Sequence, residues 1–254
     1  MTSGPRRIAA WKRRSDRPYV LGHRGARRRA PENSLAAFDL AMDEGADGIE
    51  LDVRLDADGD VIVLHDQDLS RVTSGRDTRR AEDLHRMDLA GTDLGGGEPV
   101  PLLSDVLVWA RGRRARVNVE LKADVRHRVR FVLAVARLVA VEPDASKRIL
   151  FSSFDPRLVM ALSYLLPWIP SGWLVEQARG VPARIGLARL VRAAAVHPHR
   201  SLVTEDSIRP WKAEGRAVNV WTVNEVDEAR RLAAIGVDTI ITDEPGKILD
   251  ALRR

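Results

Sequence analysis

Cysteine is absent from this 254-residue sequence, which excludes a disulfide framework and a thiol nucleophile. Long apolar runs are also missing. The longest, Phe131 to Val141, contains Arg137 and falls well short of the roughly 20 apolar residues a membrane-spanning helix needs. The N-terminal stretch Met1 to Arg17 is basic but carries no apolar segment of the kind a secretory signal requires, so a soluble, cytoplasmic protein is expected. Lysine is scarce: only Lys12, Lys122, Lys147, Lys212 and Lys247 are lysines among 41 cationic residues, the rest being arginine. Aromatics make up 5% of the chain, and none is interleaved with the basic clusters Arg27-Arg28-Arg29 and Arg111 to Arg116. Without stacking side chains beside the charge, nucleic acid is not an expected partner. The net charge of +5 fits attraction to anionic small molecules, and peripheral contact with a membrane surface stays open.

What is present is a hydrophobic fraction of 44%, enough for a substantial core, arranged in alternating elements. Apolar β-rich runs occur at Tyr19 to Gly22, Gly48 to Leu55, Val117 to Leu121, Arg148 to Phe151, Ser171 to Val175, Ala194 to Val196, Ala217 to Val223 and Thr239 to Thr242. Val61 to Leu64 follows the turn-like Asp56 to Asp60 and reads as a hairpin extension of the second run. Helical patterns fill the gaps at Ser34 to Glu44, Val125 to Val141, Pro156 to Leu166, Pro182 to Ala193, Glu205 to Glu214, Glu225 to Ile235 and Pro245 to Leu252. Asn224 is the expected N-cap of the sixth of these, with Gly236 closing it. Eight strands alternating with helices predict an α/β fold, a (β/α)8 TIM barrel over residues 19–254 behind a basic extension, 1–18. Residues 66–100 break the rhythm with turn-prone clusters, among them Gly95-Gly96-Gly97, and are expected as a small insertion after the second strand, over the barrel mouth.

The ionisable residues fall at strand ends. His23 follows the first strand and His65-Asp66 the hairpin. Glu50 and Asp52 are two apart and share one face of the second strand, while Ile49, Leu51 and Val53 take the other. Asn118, Glu120 and Lys122 alternate in the same way with Val117, Val119 and Leu121. Such groups could pair only with one another, as a structural ion network. Strand ends at a barrel mouth, however, are where active sites form, and burying so many charges unpaired is costly. Three carboxylates with no cysteine favour a hard, oxygen-seeking ion, Ca²⁺ or Mg²⁺. His85 and His127 are assigned to the surface, and His197-Pro198-His199 ends a strand without a catalytic assignment.

The strings HRGARRRAPENS, EGADGIELDVRLDADGDVIVLHD, NVELK, VNVWTVN and GVDTIITDEP, in that order from about Tyr19 to about Pro245, closely resemble the glycerophosphodiester phosphodiesterases. The resemblance implies hydrolysis of glycerophosphodiesters to glycerol 3-phosphate and an alcohol. It also implies Glu50, Asp52 and Glu120 as metal ligands, His23 and His65 as the acid/base pair, and Arg24 and Lys122 as phosphate contacts. Glu32 of the PEN string would support the metal site and Trp221 would line the pocket. Two departures, Ser34 in place of the commoner threonine and Asp243-Glu244-Pro245 in place of a basic residue before the proline, are expected to leave the chemistry untouched. The competing readings are a related phosphodiesterase of the lysophospholipase D type, which would need an apolar channel, and a non-catalytic barrel that binds a phosphate ligand. The head group, the ion, the roles of the two histidines and the oligomeric state are not legible in the sequence.

Overall fold

The computed structural model describes residues 8–14, 16–176 and 181–253, with side chains excepted at 181–185. Residues 1–7 and 15 of the basic N-terminal stretch therefore lie outside the described residues. Eight parallel strands close on themselves: β1 (Tyr19–His23), β2 (Gly48–Leu55), β4 (Arg116–Leu121), β5 (Ile149–Ser153), β6 (Ser171–Val175), β7 (Ala195–Pro198), β8 (Ala217–Val220) and β9 (Thr239–Thr242). β1 pairs with both β9 and β2, completing the ring. The (β/α)8 barrel expected from the sequence is the observed fold. β3 (Val61–Val63) lies outside the ring, antiparallel to the upper end of β2, with Val53 opposite Val63 and Leu55 opposite Val61.

Alternation along the strands divides the chain's two kinds of chemistry. Ile49, Leu51, Val53, Val117, Val119 and Leu121 are all buried in the layer between strands and helices. Their neighbours Glu50, Asp52, Asn118 and Glu120 are thereby left to the barrel interior. At the lower end of the barrel Ile8 and Trp11 are buried against Leu21, Leu150, Ala195, Ala217 and Ile241. Residues read from sequence as part of a basic extension thus plug the barrel floor, because Ile8 precedes and Trp11 ends a short 3₁₀ turn, Ala9–Trp11.

The helix Leu35–Asp43 starts at Ser34, whose hydroxyl accepts from Ala37 N, and is closed by Gly45 at φ +90°. Four local expectations change. A helix at Leu103–Arg113, not anticipated, buries Leu103, Val106, Leu107 and Ala110 and has no side-chain cap at Leu102 to announce it. The stretch expected as one helix from Val125 to Val141 is helical only over Arg128–Ala140. The seventh run ends as a strand at Val220, before a cis Trp221–Thr222 bond. The helix after β8, Val226–Ala234, is capped by Glu225 without a side-chain bond, and Asn224 is turned elsewhere. Between β3 and Leu102, residues 64–102 build a separate small cluster from Leu64, Leu69, Ala81, Leu84, Leu89 and Val100, with the short helix Arg86–Ala90.

Candidate active site

The site begins with the turn after β1. Arg24 and Gly25 take φ values of 56° and 84°, so the chain reverses direction directly after His23. Gly25 is required twice: its φ is left-handed, and a Cβ there would lie 2.6 Å from the backbone of Ala37 in the neighbouring helix. The returning loop is tied down by Ala26 N to Ala37 O at 2.9 Å and Asn33 N to Arg24 O at 3.0 Å. This fold-back carries Arg24, Glu32 and Asn33 against the strand ends.

Glu50, Asp52 and Glu120 each offer a carboxylate oxygen, and these oxygens all lie within 4.8 Å of one another. Register explains why: Asp52 is paired across the sheet with Glu120. Asp52 receives Asn33 Nδ2 at 3.1 Å, Arg24 Nε lies 3.1 Å away and Lys122 Nζ 3.4 Å away. Glu120 accepts from Lys122 Nζ at 2.9 Å, and Glu50 from the backbone N–H of Arg24 at 3.2 Å. Burial, then repulsion from Asp52 and Glu120, raises Glu50 well above the usual carboxylate range. Burial likewise raises Glu120. Burial works against Asp52 too, but Lys122 and Arg24 outweigh it and hold that carboxyl far below its ordinary value. Three buried carboxylates in mutual repulsion are a donor set that a hard divalent cation satisfies.

Each of the two candidate histidines has a carboxylate on Nδ1. His23 donates to Asp243 Oδ1 at 2.7 Å, and its Nε2 stands 4.0 Å from Glu50 Oε2. His65 donates to Asp66 Oδ1 at 2.6 Å and lines one cleft at the mouth with Glu120 and Lys122. A carboxylate accepting from Nδ1–H leaves Nε2 of a neutral imidazole with its lone pair free. Burial is the main cause lowering both imidazoles from their ordinary pKa. Burial opposes Asp243 ionisation, but His23, Asn224 and Arg27 hold its carboxyl at about 2.

The other candidates divide. Glu32 does not touch the carboxylate triad; it accepts from Arg24 and Arg71. Trp221 packs edge-on to Phe154 and His199 with ring centroids 5.5 and 5.2 Å apart. His85, exposed, bonds to Asp58, and His127 is exposed, as expected of surface residues. His197 is sealed inside the barrel, accepting from Asn219 Nδ2 at 3.0 Å, and burial lowers its pKa to about 3.

The expectation that Asp243-Glu244-Pro245 leaves the chemistry untouched is corrected. Asp243 holds His23, and Asn224 holds Asp243, donating to Oδ2 at 2.8 Å and accepting from the Asp243 N–H at 2.9 Å. Asn33, passed over in favour of its neighbour Glu32, is the residue that reaches Asp52. The available signal was a buried-type Thr-Asp following the last strand, where a barrel displays its functional side chains.

Residues 23–247 match the Glycerophosphoryl diester phosphodiesterase family. The chain is 30% identical over 243 residues to a glycerophosphodiester phosphodiesterase of Caldanaerobacter subterraneus subsp. tengcongensis, covering 92% of this chain and 98% of that protein. Among solved structures, an Oleispira antarctica phosphodiesterase in complex with its product sn-glycerol-3-phosphate superposes with a TM-score of 0.86 at 27% identity, covering 94% of this chain and 98% of that one. The glycerophosphodiester phosphodiesterase of Thermotoga maritima gives 0.77 at 28% identity, covering 92% and 97%.

Proposed function

The chain belongs to the glycerophosphoryl diester phosphodiesterase family, and from that premise we propose that it hydrolyses glycerophosphodiesters to glycerol 3-phosphate and an alcohol. The observation that carries this reading is the buried triad Glu50, Asp52 and Glu120 flanked by two histidines, each oriented by its own carboxylate. Charge arithmetic supports it. Ionised, the three carboxylates exceed Arg24 and Lys122 by one negative charge. A divalent cation reverses that excess to one positive charge, which matches the single negative charge of a phosphodiester.

In the proposed reaction Glu50, Asp52 and Glu120 hold the ion, and their oxygen-only donor set favours Ca²⁺ or Mg²⁺. When bound, the ion supplies charge neutralisation at the non-bridging phosphate oxygens. Arg24 and Lys122, already clustered with the carboxylates, add hydrogen-bond donors to the same oxygens. One histidine, entering neutral, takes a proton at Nε2 from the attacking hydroxyl or water, and the other, entering as the imidazolium, gives its Nε2 proton to the leaving alkoxide. The carboxylates on Nδ1 stabilise the imidazolium that forms, as Asp243 does for His23.

The mouth cleft favours compact, water-soluble head groups over lysophospholipids. Among the described residues it is lined by Arg54, His65, Asp66, Gln67, Glu120, Lys122 and Asp124 with others, and Phe154 is the single large apolar side chain among them. No helix among the described residues is long and apolar enough to cross a membrane. The test is a panel of glycerophosphodiesters with choline, ethanolamine, glycerol and inositol head groups, assayed beside the corresponding lysophospholipids. Product glycerol 3-phosphate is followed by phosphorus NMR with Mg²⁺ or Ca²⁺ present. Turnover of at least one is expected, and turnover of lysophospholipids alone would overturn the proposal.

A further inference from the structure

Arg71 lies outside the residues from which the site was assembled, yet it grips two of the side chains that organise it. Asp66 Oδ1 takes the Nδ1–H of His65. The other oxygen of Asp66 accepts from Arg71 Nε at 2.6 Å. The remaining two nitrogens of Arg71 reach both oxygens of Glu32, at 2.9 and 2.6 Å. Glu32 Oε1 also accepts from Arg24 Nη1 at 2.9 Å, and Arg24 stands against Asp52. A single guanidinium thereby closes a continuous path from His65 on the insertion side of the mouth to Arg24 and the carboxylates on the other.

We propose that Arg71 is a positioning residue for the hydrolysis, holding Asp66 and Glu32 in fixed relation so that His65 and Arg24 are aligned on the same phosphate. The proposal rests on the roles given above to His65 and Arg24. The geometry uses donors on three coplanar nitrogens, which the single nitrogen of an ammonium does not supply. The guanidinium is half exposed, and exposed ion pairs contribute little to stability, so holding the fold is a poor account of three short contacts. The turn that carries it is secured independently. Leu69 is buried, and the hydroxyl of Thr73 donates to Leu69 O at 2.8 Å while Thr73 Oγ1 accepts from Asp77 N at 3.0 Å. The fold of the insertion therefore survives loss of the head group of Arg71.

The experiment is a double-mutant cycle on the metal-loaded enzyme, using Arg71→Met, His65→Ala and the pair, with Arg71→Lys as the conservative variant and glycerophosphoglycerol as probe substrate. Arg71→Met should lower kcat by about 10- to 100-fold, less than the roughly 10²- to 10⁴-fold reach of general acid–base catalysis because the histidine itself remains, and raise KM as Arg24 loosens. The melting temperature should shift by no more than a few degrees. Arg71→Lys should restore only a minor part. In the His65→Ala background the same change should cost kcat less than about 3-fold, because residues that act through one another are not additive. An Arg71→Met enzyme with wild-type kcat and KM beside an impaired His65→Ala enzyme overturns the proposal alone. An equal penalty with and without His65 also overturns it. A fully active His65→Ala enzyme overturns the histidine assignment and this proposal together.

Discussion

His23 and Asp243 stand 220 positions apart in the chain and 2.7 Å apart in space, joined through Nδ1 of the imidazole and Oδ1 of the carboxylate. The pair closes the barrel at its chemical end, since β1 and β9 are neighbours, His23 is the last residue of β1 and Asp243 directly follows β9. It also fixes which nitrogen of His23 is free. Replacing Asp243 by Asn removes the ionised acceptor while keeping the shape. Asp243→Asn should lower kcat by on the order of 10²- to 10⁴-fold, the reach of general acid–base catalysis. Binding of the divalent ion, read by calorimetry, should change little. An Asp243→Asn enzyme with undiminished kcat would show that His23 does not need this partner.

Gly25 carries the sharpest steric constraint of the site. In Gly25→Ala the new methyl would meet the Ala37 backbone at 2.6 Å, from a left-handed φ of 84°. Strain of about 1–3 kcal/mol follows, or a melting temperature lower by roughly 3–10 °C for a chain this long. Activity should fall further than stability alone explains, because the same turn aims His23 and Arg24. Differential scanning fluorimetry alongside kcat checks both; unchanged values in the two assays would refute the close approach.

His197 gives the protein a pH dependence apart from catalysis. Burial lowers its folded pKa to about 3, while in the unfolded chain it titrates near its ordinary value of 6.5. The unfolded state therefore binds the extra proton first as pH falls. Stability is fully present above pH 6.5 and is lost on acidification down to about 3, by up to about 1.4 kcal/mol per pH unit. His197→Asn keeps a polar group beside Asn219 but cannot titrate. Urea midpoints between pH 7 and 4.5 should fall less steeply for this variant than for the wild type, and parallel slopes would contradict the assignment.

The carboxylate triad was legible in the sequence because strand alternation puts Glu50 with Asp52 and Glu120 with Lys122, and a parallel neighbour brings the two strands into register. The barrel was legible for the same reason: eight apolar runs with helices between them leave few other topologies. What escaped was the layer of support. Asp243, Asn33 and Arg71 act on side chains carried by other elements, and local periodicity carries no record of a contact spanning 220 positions. Asn224 misled because a polar residue before a helix reads as a cap, whereas here its amide is taken by Asp243. The helix Leu103–Arg113 had a readable apolar spacing, Leu103, Val106, Leu107 and Ala110, but no cap and a basic C-terminal turn that drew attention to its charge.

The claim that Glu50, Asp52 and Glu120 hold an ion required for hydrolysis is tested most directly by removing that ion. Purified enzyme, stripped with chelator and dialysed, is assayed for glycerol 3-phosphate release before and after titration with Mg²⁺ or Ca²⁺, beside Glu120→Ala treated identically. The expected result is loss of activity on stripping and its return with either ion in the wild type, with Glu120→Ala needing a higher ion concentration for partial return. Full activity in the exhaustively stripped wild-type enzyme, or identical ion dependence in Glu120→Ala, would contradict it.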